Sequence, residues 1–156
     1  MKKGAPALKQ SVMPVLRVAE RRRRMIIEID FNSDEALYLQ LCNQIIMGIA
    51  TSQFREGDSL PSVRSLADAI GINMHTVNKA YTVLRQEGYL KVDRRKGAVI
   101  AIDVDRLQTL EELKKELQVI LAKGTCKNIT KEEIHELVDE IYEDLRSSIS
   151  NEYGGF

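Results

Sequence analysis

Between Ser59 and Leu90 two short stretches of helical periodicity flank a Gly71-Ile72-Asn73 break, and few arrangements of such a segment bury both apolar stripes at once. In the first stretch Val63, Leu66, Ala67 and Ile70 form one inward face, with Pro61 and Ser62 at its start, where backbone N–H groups lack helical partners. Gly71 suits the left-handed residue that ends a helix, and Asn73 suits the cap of the next. The second stretch runs from about Met74 to Glu87, with Val77, Ala80, Tyr81 and Leu84 inward and Met74, His75, Asn78, Lys79 and Thr82 outward. Gly88 ends it. Two apolar runs, 89–92 and 98–102, then flank Asp93-Arg94-Arg95-Lys96-Gly97, the pattern of a hairpin with a basic tip. Together these pieces predict a helix-turn-helix followed by a wing.

The flanking sequence extends this plan. Residues 25–31 carry β-branched side chains in partial alternation, which predicts a short strand. Ser33 is then placed to cap a helix from about Asp34 to about Gln53, with Leu37, Leu41, Ile45, Ile46 and Ile49 on one stripe and residues 54–58 as a turn. From Asp105 the chain becomes acidic and helical. Leu107, Leu110, Leu113, Leu117, Ile120 and Leu121 step by three or four up to Gly124, close to a heptad seam. Thr130-Lys131-Glu132-Glu133 has the form of a capping box, after which Ile134, Leu137, Val138, Ile141, Tyr142, Leu145 and Ile149 form a second stripe. Two such helices cannot bury both stripes alone, so a second copy is expected to cover them. The fold class is therefore mainly α with a small β wing: a winged helix-turn-helix over 25–103 and a two-helix dimerisation segment over 104–156.

Charge is unevenly placed although it sums to zero. Residues 1–24 hold eight Lys/Arg and one Glu, or +7, while residues 25–156 hold fifteen Lys/Arg against twenty-two Asp/Glu, or −7. The first segment reads as a basic disordered arm or as an extension ahead of Met25. A DNA reader with an acidic body must gather its cations on one face, and Arg85, Lys91, Arg94, Arg95 and Lys96 fall within twelve positions. No apolar run approaches the roughly 20 residues of a membrane span, so a cytoplasmic protein without membrane attachment is expected. Cys42, Cys126, His75 and His135 match no metal spacing, and buried or incidental thiols in a reducing compartment are the simplest reading. No cofactor is expected. With no nucleophile–base constellation and no phosphate-binding glycine loop, neither is an enzyme.

Four segments carry a family resemblance: YLQL at 38–41, GDSLPSVRSLA at 57–67, TVNKAY at 76–81 and LRQEGYL at 84–90. In this order, over about residues 34–102, they resemble the GntR family of bacterial transcription regulators. The short helical tail after Asp103 is similar to that of the YtrA subfamily, whose tail is chiefly a dimerisation element. The resemblance implies repression of nearby genes, often an ABC transporter operon.

It also implies that Arg64 contacts phosphate or base edges and that the start of the third helix enters the major groove. Asn73, His75, Thr76, Asn78 and Lys79 would then face DNA, with Arg94, Arg95, Lys96 and Gly97 in the wing. Many relatives carry Arg at the place of Met74, so a base contact there is missing or supplied by another residue. Other readings of the same residues stay open: Asn73 as a helix cap, Arg64 paired with Asp58 or Asp68, the wing cations as a solvated turn, and the basic wing as a seat for an acidic protein. The expected partners are a double-stranded operator, an inverted repeat, and a second copy held through Leu110, Leu113, Leu117, Ile120, Leu121, Ile134, Leu137, Val138, Ile141 and Leu145. No effector ligand can be named.

Overall fold

The computed structural model describes residues 15–17 and 24–150, with side-chain surroundings from Ile27 to Ile149. Within the stretch expected to be a disordered arm, β1 (Val15–Arg17) pairs antiparallel with β2 (Arg24–Ile26), Val15 opposite Ile26. The rest of that arm lies outside the described residues. The strand expected over 25–31 is thus only its first part. Beyond it the chain runs on in extended form with a different kind of partner.

That partner is α1 (Leu37–Ala50), which uses two glutamines as a substitute strand edge. Gln40 accepts from the Asp30 N–H at 2.9 Å and donates to the Asp30 and Glu35 carbonyls at 3.0 Å each. One turn later Gln44 accepts from the Glu28 N–H at 2.8 Å and donates to the Glu28 carbonyl. Residues two apart on an extended segment and four apart on a helix have similar repeat lengths, so the amides fall in register. The clip seats Ile27 and Ile29 in the core. The helix starts three residues later than expected: Ser33 accepts only from the Glu35 N–H, at 3.1 Å, and the N-cap position is Ala36, which offers no side-chain acceptor.

The helix-turn-helix is α2 (Val63–Ile70) and α3 (Met74–Gln86). Gly71, at φ 71°, closes α2, with the Ile72 N–H reaching back to the Ala67 carbonyl at 3.1 Å. Leu66, Ala67 and Ile70 from α2 meet Val77, Ala80, Tyr81 and Leu84 from α3 and Leu41, Cys42 and Ile45 from α1 in one core. Cys42 is part of that core: its Sγ–H donates to the Ala80 carbonyl at 3.5 Å. Burial, helped by the charge of Glu87, pushes its thiol up to about 11, so it stays protonated and unreactive near neutrality. Cys126 is exposed.

The wing is β3 (Leu90–Asp93) paired antiparallel with β4 (Gly97–Ile100), Leu90 opposite Ile100. Residues 57–60, read in part as a turn, add a third edge. The Gly57 N–H donates to the Ile100 carbonyl at 2.8 Å, Ile100 donates back to Asp58 at 2.9 Å, and Leu60 donates to Ala98 at 2.8 Å. This ties the start of α2 to the wing.

The tail forms α4 (Arg106–Cys126) and α5 (Lys131–Ser150). Asp105 caps α4 through the Gln108 N–H at 3.1 Å. The helix does not stop at Gly124 but runs two residues further, because the left-handed residue is Asn128, at φ 60°. The Ile129 N–H then reaches the Gly124 carbonyl at 3.0 Å and the Asn128 N–H reaches Thr125 at 3.1 Å, a Schellman end with asparagine in the glycine role. The expected capping box forms in both directions: Thr130 N–H to Glu133 at 2.7 Å and Glu133 N–H to the Thr130 hydroxyl at 3.2 Å. No described residue after Ile100 is fully buried. No helix among the described residues is long and apolar enough to cross a membrane.

Candidate nucleic-acid interface

Three elements meet on one surface: the start of α2, the exposed side of α3, and the wing. The α2 start is fixed from both ends. Ser62 caps it, its hydroxyl accepting from the Ser65 N–H at 3.1 Å, and the buried Tyr81 hydroxyl of α3 donates to the Pro61 carbonyl at 2.8 Å. Burial holds the Tyr81 phenol well above its ordinary range, so this donor keeps its proton at any working pH. Arg64, in the first turn that these contacts orient, is exposed and forms no ion pair with Asp58 or Asp68. The Asp58 carboxylate instead accepts from the Arg55 N–H at 2.8 Å.

At the other end of the turn Asn73 caps α3, its Oδ1 accepting from the His75 N–H at 2.8 Å. The acceptor of this amide is thereby committed to the helix, and its NH2 remains available to a ligand. Met74, 48% exposed, stands beside it with His75 and Asn78 around a shallow surface hollow. Thr76 is half-buried in the first turn. Lys79 sits apart from this group, its ammonium stacked 3.8 Å from the centroid of the Tyr38 ring on α1.

The wing tip is held by Asp93. Its Oδ1 accepts from the Arg95 N–H at 2.7 Å and the Lys96 N–H at 2.9 Å, and these two bonds hold its carboxyl below the usual aspartate range. Gly97, at φ 76°, completes the turn. Arg94, Arg95 and Lys96 are left exposed on a tip of defined shape.

Sequence reasoning missed the Tyr81–Pro61 tie, because Tyr81 reads simply as an inward residue at helical spacing. It missed Asp93 for a different reason. An aspartate two and three residues before the N–H groups it binds is a recognisable turn signal, and that signal could have identified it. No group of three or more metal-ligating side chains is assembled among the described residues.

Residues 37–100 match the family described as "Bacterial regulatory proteins, gntR family". The chain is 31% identical to the HTH-type transcriptional repressor YtrA of Bacillus subtilis over 132 residues, which cover 81% of this chain and 100% of that protein. Among solved structures it is similar to a transcriptional antiterminator from Listeria monocytogenes EGD-e, at TM-score 0.68 and 30% identity over 76% of this chain and 90% of that one. A GntR family transcriptional regulator from Listeria monocytogenes superposes at TM-score 0.54 and 28% identity, covering 70% of this chain and 98% of that one. The winged helix-turn-helix, its basic tip and this likeness lead to one conclusion: the chain is a DNA-binding transcriptional regulator that belongs to the GntR family, with the YtrA-like members of that family.

Proposed function

We propose that the protein is a homodimeric, sequence-specific repressor that sets two copies of α3 into the halves of an inverted repeat. The observation that carries this reading is the tail. Leu110, Leu113, Leu117, Ile120, Leu121, Leu137, Val138 and Ile141 are between 39% and 57% exposed, while Ile134 and Leu145 are only half-buried. A stable association of two chains buries roughly 800 Å² on each, and two helices about 30 Å long with apolar stripes offer a surface of that order.

In this reading Arg64, His75, Thr76 and Asn78 meet the major groove, with Asn73 donating its free amide protons to phosphate. The tip formed by Arg94, Arg95, Lys96 and Gly97 lies along the flanking backbone, and Lys79 contributes at the edge next to Tyr38. Asn78 is the side chain best suited to bidentate recognition of adenine. The paired recognition helices are set about one helical turn, ~34 Å, apart. The Bacillus relative's being a transcriptional repressor supports repression, and an ABC transporter operon is the target class proposed.

Replacing Leu113 and Leu117 together by glutamate tests the assembly. Since neither side chain is buried within the chain, the winged domain keeps its fold, and the expected result in sedimentation is a monomer. A double variant that stays dimeric removes this seam from the account.

A further inference from the structure

A cleft of about 280 Å³ separates α3 from the wing, and two cations, Arg85 and Lys91, line it. Its floor is apolar, with Pro61, Val63 and Ala98. On the helix side it is lined by Asn78, Thr82 and Arg85, which recur at i, i+4 and i+7 and so share one face over ~10 Å of axis. On the wing side stands Lys91.

The polar groups along this cleft divide into those already committed and those that are not. Thr82 donates its hydroxyl to the Asn78 carbonyl at 2.8 Å, and Tyr81 donates to Pro61. Arg85 and Lys91 are exposed and make no ion pair among the described residues. No carboxylate lines the cleft; the nearby Asp93 feels the charge of Lys91, but its Oδ1 is hydrogen-bonded to the amides of the wing tip. Two cations on one apolar-floored cleft that no carboxylate lines match a polyanion strand in charge.

The geometry of DNA supplies the occupant. When α3 lies in a major groove and the wing beside the neighbouring minor groove, the sugar–phosphate strand dividing the two grooves must cross the gap between α3 and the wing. We propose that this cleft is a phosphate seat, in which Arg85 and Lys91 grip that dividing strand from its two sides and so fix the depth and angle at which α3 enters. This rests on the DNA-reading surface described above and adds two positioning residues to it. Both act on backbone, so they contribute equally on any sequence.

The test measures binding to a short random-sequence duplex over a range of salt concentrations. It compares the wild type, the double variant Arg85→Gln/Lys91→Gln, and the charge-retaining double variant Arg85→Lys/Lys91→Arg. Losing two phosphate contacts at about 0.9 counterions each makes the plot of log K against log salt shallower by about 1.8 in the glutamine variant. The charge-retaining variant keeps the wild-type slope. A glutamine variant with the wild-type slope, beside a wild type that binds duplex, overturns the seat alone. A wild type with no salt-dependent duplex binding overturns the DNA-reading surface and the seat with it.

Discussion

Asn73 caps α3 and is proposed to contact DNA as well, and three substitutions separate the two roles. Its Oδ1 accepts from the His75 N–H at 2.8 Å, a good bond at an exposed helix start. Loss of such a cap costs about 1 kcal/mol, within a range of roughly 0.5–2. For a domain of this size that is a fall in melting temperature of about 4–8 °C per kcal/mol. Asn73→Ala therefore melts several degrees below wild type. Asn73→Asp and Asn73→Ser keep a cap acceptor and melt close to wild type, since asparagine, aspartate and serine cap about equally well.

DNA binding sorts the same three variants differently. Asn73→Ser loses the amide donors and weakens binding by the worth of one hydrogen bond to a charged acceptor, about 1.5–3 kcal/mol, or roughly tenfold to a hundredfold. Asn73→Asp loses them too and sets a negative charge against phosphate, so it binds more weakly than the serine variant. Thermal melts followed by circular dichroism and a salt-controlled anisotropy titration give the two orders. If Asn73→Ser binds duplex as well as wild type, Asn73 is a cap alone. If Asn73→Ala melts as wild type does, the cap itself is wrongly valued.

Other consequences can be checked separately. Gln40→Met keeps volume but leaves the Asp30 N–H and the Asp30 and Glu35 carbonyls without their amide partner; at about 1 kcal/mol net per bond, urea unfolding should show a loss of about 2–3 kcal/mol, and a loss below about 0.5 kcal/mol removes the clip from the account. Gly48→Ala places a Cβ 2.7 Å from the Phe54 ring, which must then shift; net destabilisation of about 1–2 kcal/mol is expected, overpacking outweighing the helix propensity gained, and a variant as stable as wild type shows that the ring moves freely. Asp93 has a lowered pKa, so its contribution to the wing is complete above the ordinary aspartate range and is lost as pH falls through the lowered value. The amide resonances of Arg95 and Lys96 should therefore titrate together with a midpoint below that of an ordinary aspartate, and an ordinary midpoint contradicts the clamp.

The parts of this fold that could be read from sequence are those where one residue type does one local job. Gly71 closing α2, Asn73 capping α3 and the Thr130–Glu133 box opening α5 are local chemistry, and periodicity found the inward faces of α2 and α3. Ser33 has the right identity for a cap and so points to a start for α1 three residues too early, while its hydroxyl serves a bend before the helix. Glycine is the usual left-handed residue, so Gly124 points to an end for α4 that the helix passes, and Asn128 takes that conformation instead. Gln40 and Gln44 could not be found in this way, since an amide that satisfies a segment 10 or 16 residues away leaves no mark in local pattern. The site followed the same division. Exposure on α3 was legible from spacing, but the turn of Lys79 toward Tyr38 and the cleft beside Arg85 depend on how separate elements pack.

Dimeric, sequence-specific binding is tested most directly by the mass, in sedimentation, of the complex formed at saturation on a duplex selected from genomic DNA by the purified protein. Two chains per duplex are expected, on a two-fold symmetric sequence with half-sites about one helical turn apart. One chain per duplex at saturation, or no sequence enriched over random DNA, contradicts it.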